Sequence, residues 1–239
     1  MIGPAVLLVA TAAFYAWGVR RAPTWPAWHS VAFAGGVGAL AVALLAPLDG
    51  TLPGHMAQHL LLGVLATLLL VLGAPVRLAL RAAPRHRRAI ARVLHALPLR
   101  PWVGWAAWTA VMLGTHFTGI YELAVRNGFV HALEHLAYLG SGLLFWAAVV
   151  AVDPLPRPPS AAARFAWLLA TMPPMGLVGA KLLTGGVAYP SYPDLAAQRT
   201  AAGLMWGAGS LVMSAALVAI VFSALLREEH RQQRRELAR

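Results

Sequence analysis

The chemistry this sequence offers lies in two histidine pairs. His55 and His59 stand four residues apart in "GHMAQHLLL", and His131 and His135 stand four apart in "VHALEHLAYL". On a helix, residues i and i+4 share a face with Cβ atoms about 5–6 Å apart. Each pair can therefore give two imidazole nitrogens to one metal ion. His116, in "GTHFTG", supplies a fifth ring. Neutral imidazole suits copper and zinc, and thioether sulfur prefers Cu(I). Met56 lies between the first two histidines, and Glu134, beside His135, can orient a ring through its second nitrogen. The candidate metal ligands are thus His55, His59, His116, His131, His135 and Met56, with Glu134 supporting them. Taken singly, a histidine at a helix end is an interfacial residue satisfied by water, and a methionine is packing material. The grouping is what favours a metal.

The elements that must position these residues are membrane helices. The chain has 239 residues, 59% hydrophobic and 11% charged, with mean hydropathy +0.67; a soluble domain carries about 25% charged residues. Apolar windows of spanning length fall at 2–19, 29–47, 55–76, 101–118, 129–152, 163–186 and 201–226. A lipid-exposed strand edge would leave backbone groups unsatisfied, so the expected fold is all-α, a single polytopic domain over residues 1–239 with seven transmembrane helices. Cysteine is absent, which excludes disulfides and thiolate metal sites.

Charge sets the expected orientation. Arginines gather in the first loop (Arg20, Arg21), the third at about 77–100 (Arg77, Arg81, Arg85, Arg87, Arg88, Arg92, Arg100), the fifth (Arg157, Arg164) and the tail at about 227–239 (Arg227, Arg231, Arg234, Arg235, Arg239). The even loops hold only Arg126 and Arg199. The positive-inside rule then places the N-terminus outside, the C-terminus in the cytoplasm and all five candidate histidines near the outer face. His29, His86, His95 and His230 scatter toward the inner side. The net charge of +11 reports topology and contact with anionic lipid at the cytoplasmic face, not nucleic acid. No basic residue precedes the first apolar run, the reverse of a signal peptide's charge order, so that run is expected to be retained. The arginines from 77 to 92 recur every three or four residues, which suits either an amphipathic helix on the inner leaflet or a solvated basic linker.

Other residues carry weaker signals. Met172 and Met175 flank two prolines in the sixth window, where packing and thioether ligation both remain open. Lys181, the single lysine, is expected to snorkel to the interface or to pair with Glu122, Glu134 or Asp194. Tyr189, Tyr192 and Trp206 fit an aromatic belt.

The stretches "HMAQHLLLGVLATLLLVLGAP", "THFTGIYELAVRN…VHALEHLAYLGSGLLFW" and "YP…AGLMW", in this order and spacing, resemble the CtaG family of multi-spanning cytochrome c oxidase assembly factors over roughly residues 29–215. The resemblance rests on the two histidine pairs, His116 and Trp146. It implies a non-enzymatic, multi-pass protein of the bacterial plasma membrane that binds copper as Cu(I) or Cu(II) and serves an oxidase subunit as its partner, with a homo-oligomer left open. One departure stands out. The family often carries an Asp-Gln pair entering the last helix, where this chain has Ala197-Gln198-Arg199, with Asp194 the nearest acid. The alternatives are a zinc-dependent membrane hydrolase, which needs an open coordination position and an acid or base such as Glu134 or Glu122, and a haem clamped by histidines of two helices. A metal transporter fits less well, because the histidines cluster at one face and line no path across.

Overall fold

The computed structural model describes residues 2–237, apart from the side chains of residues 2 and 231. The chain is 82% helix, and no strand occurs among the described residues. Its order is α1 (Ile2–Arg20), α2 (Ala27–Leu45), α3 (Leu52–Leu60), a π-helical stretch (Leu61–Ala66), α4 (Thr67–Leu72), α5 (Pro75–Ala82), α6 (Arg87–Ala96), α7 (Pro101–Phe117), α8 (Ile120–Arg126), α9 (Gly128–Val150), α10 (Ala161–Leu169), α11 (Met172–Thr184), α12 (Leu195–Gly203), a second π-helical stretch (Leu204–Ala208) and α13 (Gly209–Leu237).

Six helical runs are long and apolar enough to cross a membrane: Gly3–Arg20, Ala27–Leu45, Leu52–Ala82, Gly128–Val150, Ala161–Thr184 and Leu195–Leu237. The fourth sequence window folds as α7, whose 17 residues reach about 26 Å at 1.5 Å per residue, a little short of a hydrocarbon core of about 30 Å. It still packs inside the bundle. At Gly104 a Cβ would come within 2.5 Å of the Phe145 Cα on α9, so these two helices meet backbone to backbone. Large side chains left exposed on α1 and α13, including Leu7, Val9, Leu211 and Val218, suit a lipid-facing surface.

The π-helical stretch after α3 has a geometric consequence. In a regular α-helix, four residues overshoot one turn by about 40°. A wider π turn absorbs that drift. Gly63 and Thr67 therefore follow His55 and His59 on the face that meets α9, where a Cβ on Gly142 would stand 2.5 Å from the Gly63 carbonyl oxygen and 2.9 Å from the Thr67 Oγ1.

The basic third loop is structured. Asp153 accepts hydrogen bonds from the Val76 and Arg77 N–H groups at 3.2 and 2.8 Å, fixing the start of α5 just after Ala74, which adopts φ 49°. Pro84 follows Ala83, whose backbone (φ −134°, ψ 65°) lies outside the helical region. A residue before proline is driven out of the helical region, so the segment 77–92 breaks into α5 and α6 and is not one continuous helix. The basic tail continues α13 to Leu237; Arg239 and the side chain of Arg231 lie outside the described residues.

Candidate metal centre

The two histidine pairs are built by the same local device. Thr51 caps α3, its hydroxyl accepting from the Gly54 N–H at 3.2 Å, and His55 and His59 follow at four and eight residues. Asn127 caps α9, its side chain accepting from the Phe129 and Val130 N–H groups at 3.0 and 3.2 Å, and His131 and His135 follow at the same intervals. Side-chain oxygens at N-caps fix where a helix begins. At 1.5 Å per residue the pairs sit about 6 and 12 Å along their helices. Equal depth on neighbouring helices makes two layers, with His55 beside His131 and His59 beside His135.

The rings converge as this register requires. Ring centroids lie 4.6 Å apart for His55 and His59, 4.1 Å for His131 and His135, and 4.9 Å for His55 and His131; His59 and His135 are 6.3 Å apart. Glu134, between the α9 histidines, brings one carboxylate oxygen to 3.7 Å from His55 Nε2 and 3.5 Å from His59 Nε2. Two groups of donors have all their ligand atoms within 4.8 Å of one another: His55, His131 and His135, and His55, His59 and Glu134. An ion bonded at about 2.0–2.1 Å sets its nitrogens roughly 3.3–3.6 Å apart, so either group needs only a small contraction.

Hydrogen-bond accounting supports the same conclusion. His55 Nε2, both ring nitrogens of His59, His131 Nε2, His135 Nε2 and both Glu134 oxygens are buried and have no hydrogen-bond partner among the described residues. Buried polar atoms without partners are rare because each costs about 1–3 kcal/mol. Four imidazoles and a carboxylate sharing that condition in one place fit a cation, which would satisfy them together. The donor set, nitrogen-rich with one carboxylate, suits copper or zinc.

His116 is brought to the same place with different contacts. Its ring centroid is 5.9 Å from that of His59, while its Nδ1 pairs with the Tyr189 hydroxyl at 2.9 Å and its Nε2 with the Tyr138 hydroxyl at 3.3 Å. It stands beside both donor groups and belongs to neither. Met56 is fully buried in the main apolar cluster, as is Met175, and Met172 packs against it.

Tyrosines form the wall that sequence reasoning missed. Tyr138 stacks on His59 with centroids 4.2 Å apart, and Tyr121 lies 4.7 Å from His55. Tyr189 stacks on Tyr121 at 4.0 Å, so it lines the site and is no part of an interfacial belt. Tyr192 points its hydroxyl at the Asp49 carbonyl and, at 3.4 Å, at His55 Nδ1. The available signal was spacing: Tyr138 lies three residues beyond His135 and seven beyond His131, on the same helix face. Burial raises the Tyr121 and Tyr189 phenols above their ordinary range. Burial, followed by the charges of Asp49 and Glu122, pushes Tyr192 up to about 12. With no ion bound, these three side chains are neutral hydroxyls at physiological pH.

The loop carrying Tyr189 and Tyr192 is fastened by polar residues the sequence left without roles. The Gln198 amide donates to the Leu182 and Gly186 carbonyls at 2.9 and 3.0 Å and accepts from the Ala188 N–H at 2.8 Å. Asp194 caps α12 by accepting from the Ala196 N–H at 2.8 Å. Lys181 donates to the His116 carbonyl and stands 5.1 Å over the Phe117 ring and 5.4 Å over Tyr189; among the described residues it forms no ion pair with Glu122, Glu134 or Asp194. Burial pushes the Glu122 carboxyl up, but the Ser191 hydroxyl and N–H and the Arg126 guanidinium outweigh it and hold it below the usual carboxylate range.

Comparison with known proteins gives a consistent answer. A family model described as cytochrome c oxidase caa3 assembly factor matches residues 13–227. Uncharacterized proteins of Mycobacterium bovis and Mycobacterium tuberculosis are each 29% identical to the chain over 268 residues, covering all of it and 40% of their own length. One from Mycobacterium leprae is 29% identical over 246 residues, covering 91% of the chain and 37% of itself. The chain thus spans about two fifths of these relatives. No solved structure gives a significant match.

Proposed function

The chain belongs to the Caa3_CtaG family of cytochrome c oxidase caa3 assembly factors, and from that membership we propose that it carries copper, as cargo, to an oxidase subunit in the same membrane. The observation that carries this reading is the set of buried nitrogen and oxygen atoms of His55, His59, His131, His135 and Glu134 that make no hydrogen bond among the described residues. Seven crossings, counting α7, with the N-terminus outside and the C-terminus cytoplasmic, put these residues beneath the outer face of a bacterial plasma membrane. The arginine-rich third loop and tail then lie against anionic lipid at the inner face.

Carriage without turnover suits two overlapping donor groups. His55 belongs to both, so an ion can pass from the His131/His135 group to the His59/Glu134 group by exchanging one ligand at a time. Each step keeps most bonds made, which allows tight holding and release. Met56, next to His55 in the chain and buried in the apolar cluster, is the thioether we propose as a softer donor for Cu(I).

His116 positions the site in this account. It engages Tyr189 and Tyr138 with its two nitrogens and stands against His59. Replacement by alanine is expected to leave bound copper near its full stoichiometry and to weaken affinity roughly 10- to 100-fold, the usual cost of an outer partner. Copper titration against a chelator reads this directly, and loss of copper as complete as in a His55 variant would make His116 a ligand.

The function itself is tested in cells. Without this chain, the oxidase is expected to retain haem while losing copper, and added copper is expected to restore part of the loss. Oxidase with normal copper content in those cells would refute the proposal. Metal analysis of the purified chain adds a second test: zinc in place of copper, with hydrolysis of a lipid amide, would support the hydrolase alternative.

A further inference from the structure

A cavity lies beyond the metal centre along α9. Trp146 lines it, 11 residues beyond His135 on α9 and so about 17 Å further along the helix. The cavity has a volume of about 710 Å³, within the range of about 300–1,000 Å³ common for small-ligand sites. Leu68 and Leu72 of α4, Val149 of α9, and Ala216 and Ile220 of α13 form its apolar wall. Its lining holds three guanidiniums, Arg77, Arg164 and Arg227, and no carboxylate.

These guanidiniums are held in place. Arg164 donates Nε to the Val149 carbonyl and Nη2 to the Val150 carbonyl, the latter at 2.8 Å; Arg77 donates to the Val152 carbonyl, and Arg227 to the Ser223 hydroxyl at 3.0 Å. Arg164 therefore satisfies two orphan carbonyls of the last turn of α9, and Arg77 holds the carbonyl two residues beyond it. A guanidinium has five N–H donors, so each keeps donors for a ligand. Among the described residues, no carboxylate oxygen lies within 4.0 Å of the nitrogens of these three side chains. A separate observation also points to a ligand. Trp146 is fully buried, lines the cavity, and its indole N–H has no acceptor among the described residues.

We propose that this cavity is a binding site for one anionic phospholipid, with its phosphate on Arg77, Arg164 and Arg227 and an acyl chain in the groove between α9 and α13. Positive charge above an apolar slot matches an anionic amphiphile. A zwitterionic lipid would bring its ammonium toward three like charges, and a free phosphate would leave the groove unfilled. An ester carbonyl below the phosphate is the kind of acceptor the Trp146 indole lacks. The chain's spanning helices place the site where such lipid is abundant. Nothing here depends on the metal centre.

Native mass spectrometry of the full chain in detergent tests the site. The probes are dioleoyl-phosphatidylglycerol and dioleoyl-phosphatidylcholine in equal amounts. One phosphatidylglycerol is expected to stay bound in preference to phosphatidylcholine, and excess inorganic phosphate is expected not to displace it. Arg227→Gln should lower phosphatidylglycerol retention about fivefold, corresponding to about 1 kcal/mol per basic residue, with phosphatidylcholine unaffected. Ala219→Trp, which fills the groove and leaves every charge in place, should abolish lipid retention. Both positions are exposed, so the fold is not at stake. Equal retention of the two lipids by the unaltered chain, displacement by phosphate alone, or unchanged phosphatidylglycerol in both variants would overturn the proposal.

Discussion

Replacing His55 and His59 together by alanine is expected to remove copper from the purified chain and to leave the fold intact. Each of the two donor groups loses His55, and one also loses His59. What remains is His131 and His135 on one helix, with Glu134 beside them. Loss of a mere outer partner costs about 10- to 100-fold in metal affinity, so loss of two ligands should exceed about 100-fold and bring bound copper to background. Alanine is the best helix former and Thr51 still caps α3, although the buried Glu134 loses both nearby imidazoles. Helix content and dispersity in detergent should therefore match the unaltered chain. Copper retained at full stoichiometry in the double variant would show that these rings are not ligands.

The second large effect acts on the site without touching a ligand. Gly142 on α9 lies against Gly63 and Thr67, and its missing side chain lets the two histidine-bearing helices meet. In Gly142→Leu a side chain must enter where even a Cβ would be 2.5 Å from a backbone oxygen. Overpacking of this kind costs about 1–3 kcal/mol. Here it also spreads α9 from the segment that follows His59, so copper is expected to fall although every donor is present. Gly140→Leu is the control, because nothing lies within 4 Å of a Cβ at that position. Thermal unfolding in detergent and copper per chain should both fall for Gly142→Leu and stay unchanged for Gly140→Leu. Indistinguishable variants would remove helix contact as the reason the pairs align.

How far these features were legible in the sequence depends on the range of the interaction. The i, i+4 pairs and the apolar windows are local patterns: His55, His59, His131 and His135 do converge, and six of the seven windows fold as runs of spanning length. The caps were equally local, since Thr51 and Asn127 each precede their pair by four residues, and this register was open to inspection. What the sequence does not carry is contact between distant segments. Tyr189 is 73 residues from His116, and only folding shows that it stacks on Tyr121 inside the site. Among the described residues Lys181 makes no ion pair with the acids expected for it and meets a carbonyl and two rings. The 77–92 segment shows a helical arginine period, but Pro84 splits it. A 17-residue α7 was read as a crossing, and among the described helices its length leaves it outside the six runs that span by length and composition. The π-helical stretch that keeps Gly63 and Thr67 in line with the histidines has no local signature at all.

One measurement bears most directly on the claim that imidazoles from separate helices close around a single cation. X-ray absorption at the copper edge, on the full chain loaded with copper in detergent, reports the ligands themselves. Three or more nitrogen or oxygen neighbours at about 2.0 Å, with the outer scattering of several imidazole rings that disappears in the His55/His59 double variant, is the predicted result. A first shell of solvent oxygen or of thioether sulfur, or imidazole scattering unchanged by that double substitution, would contradict it.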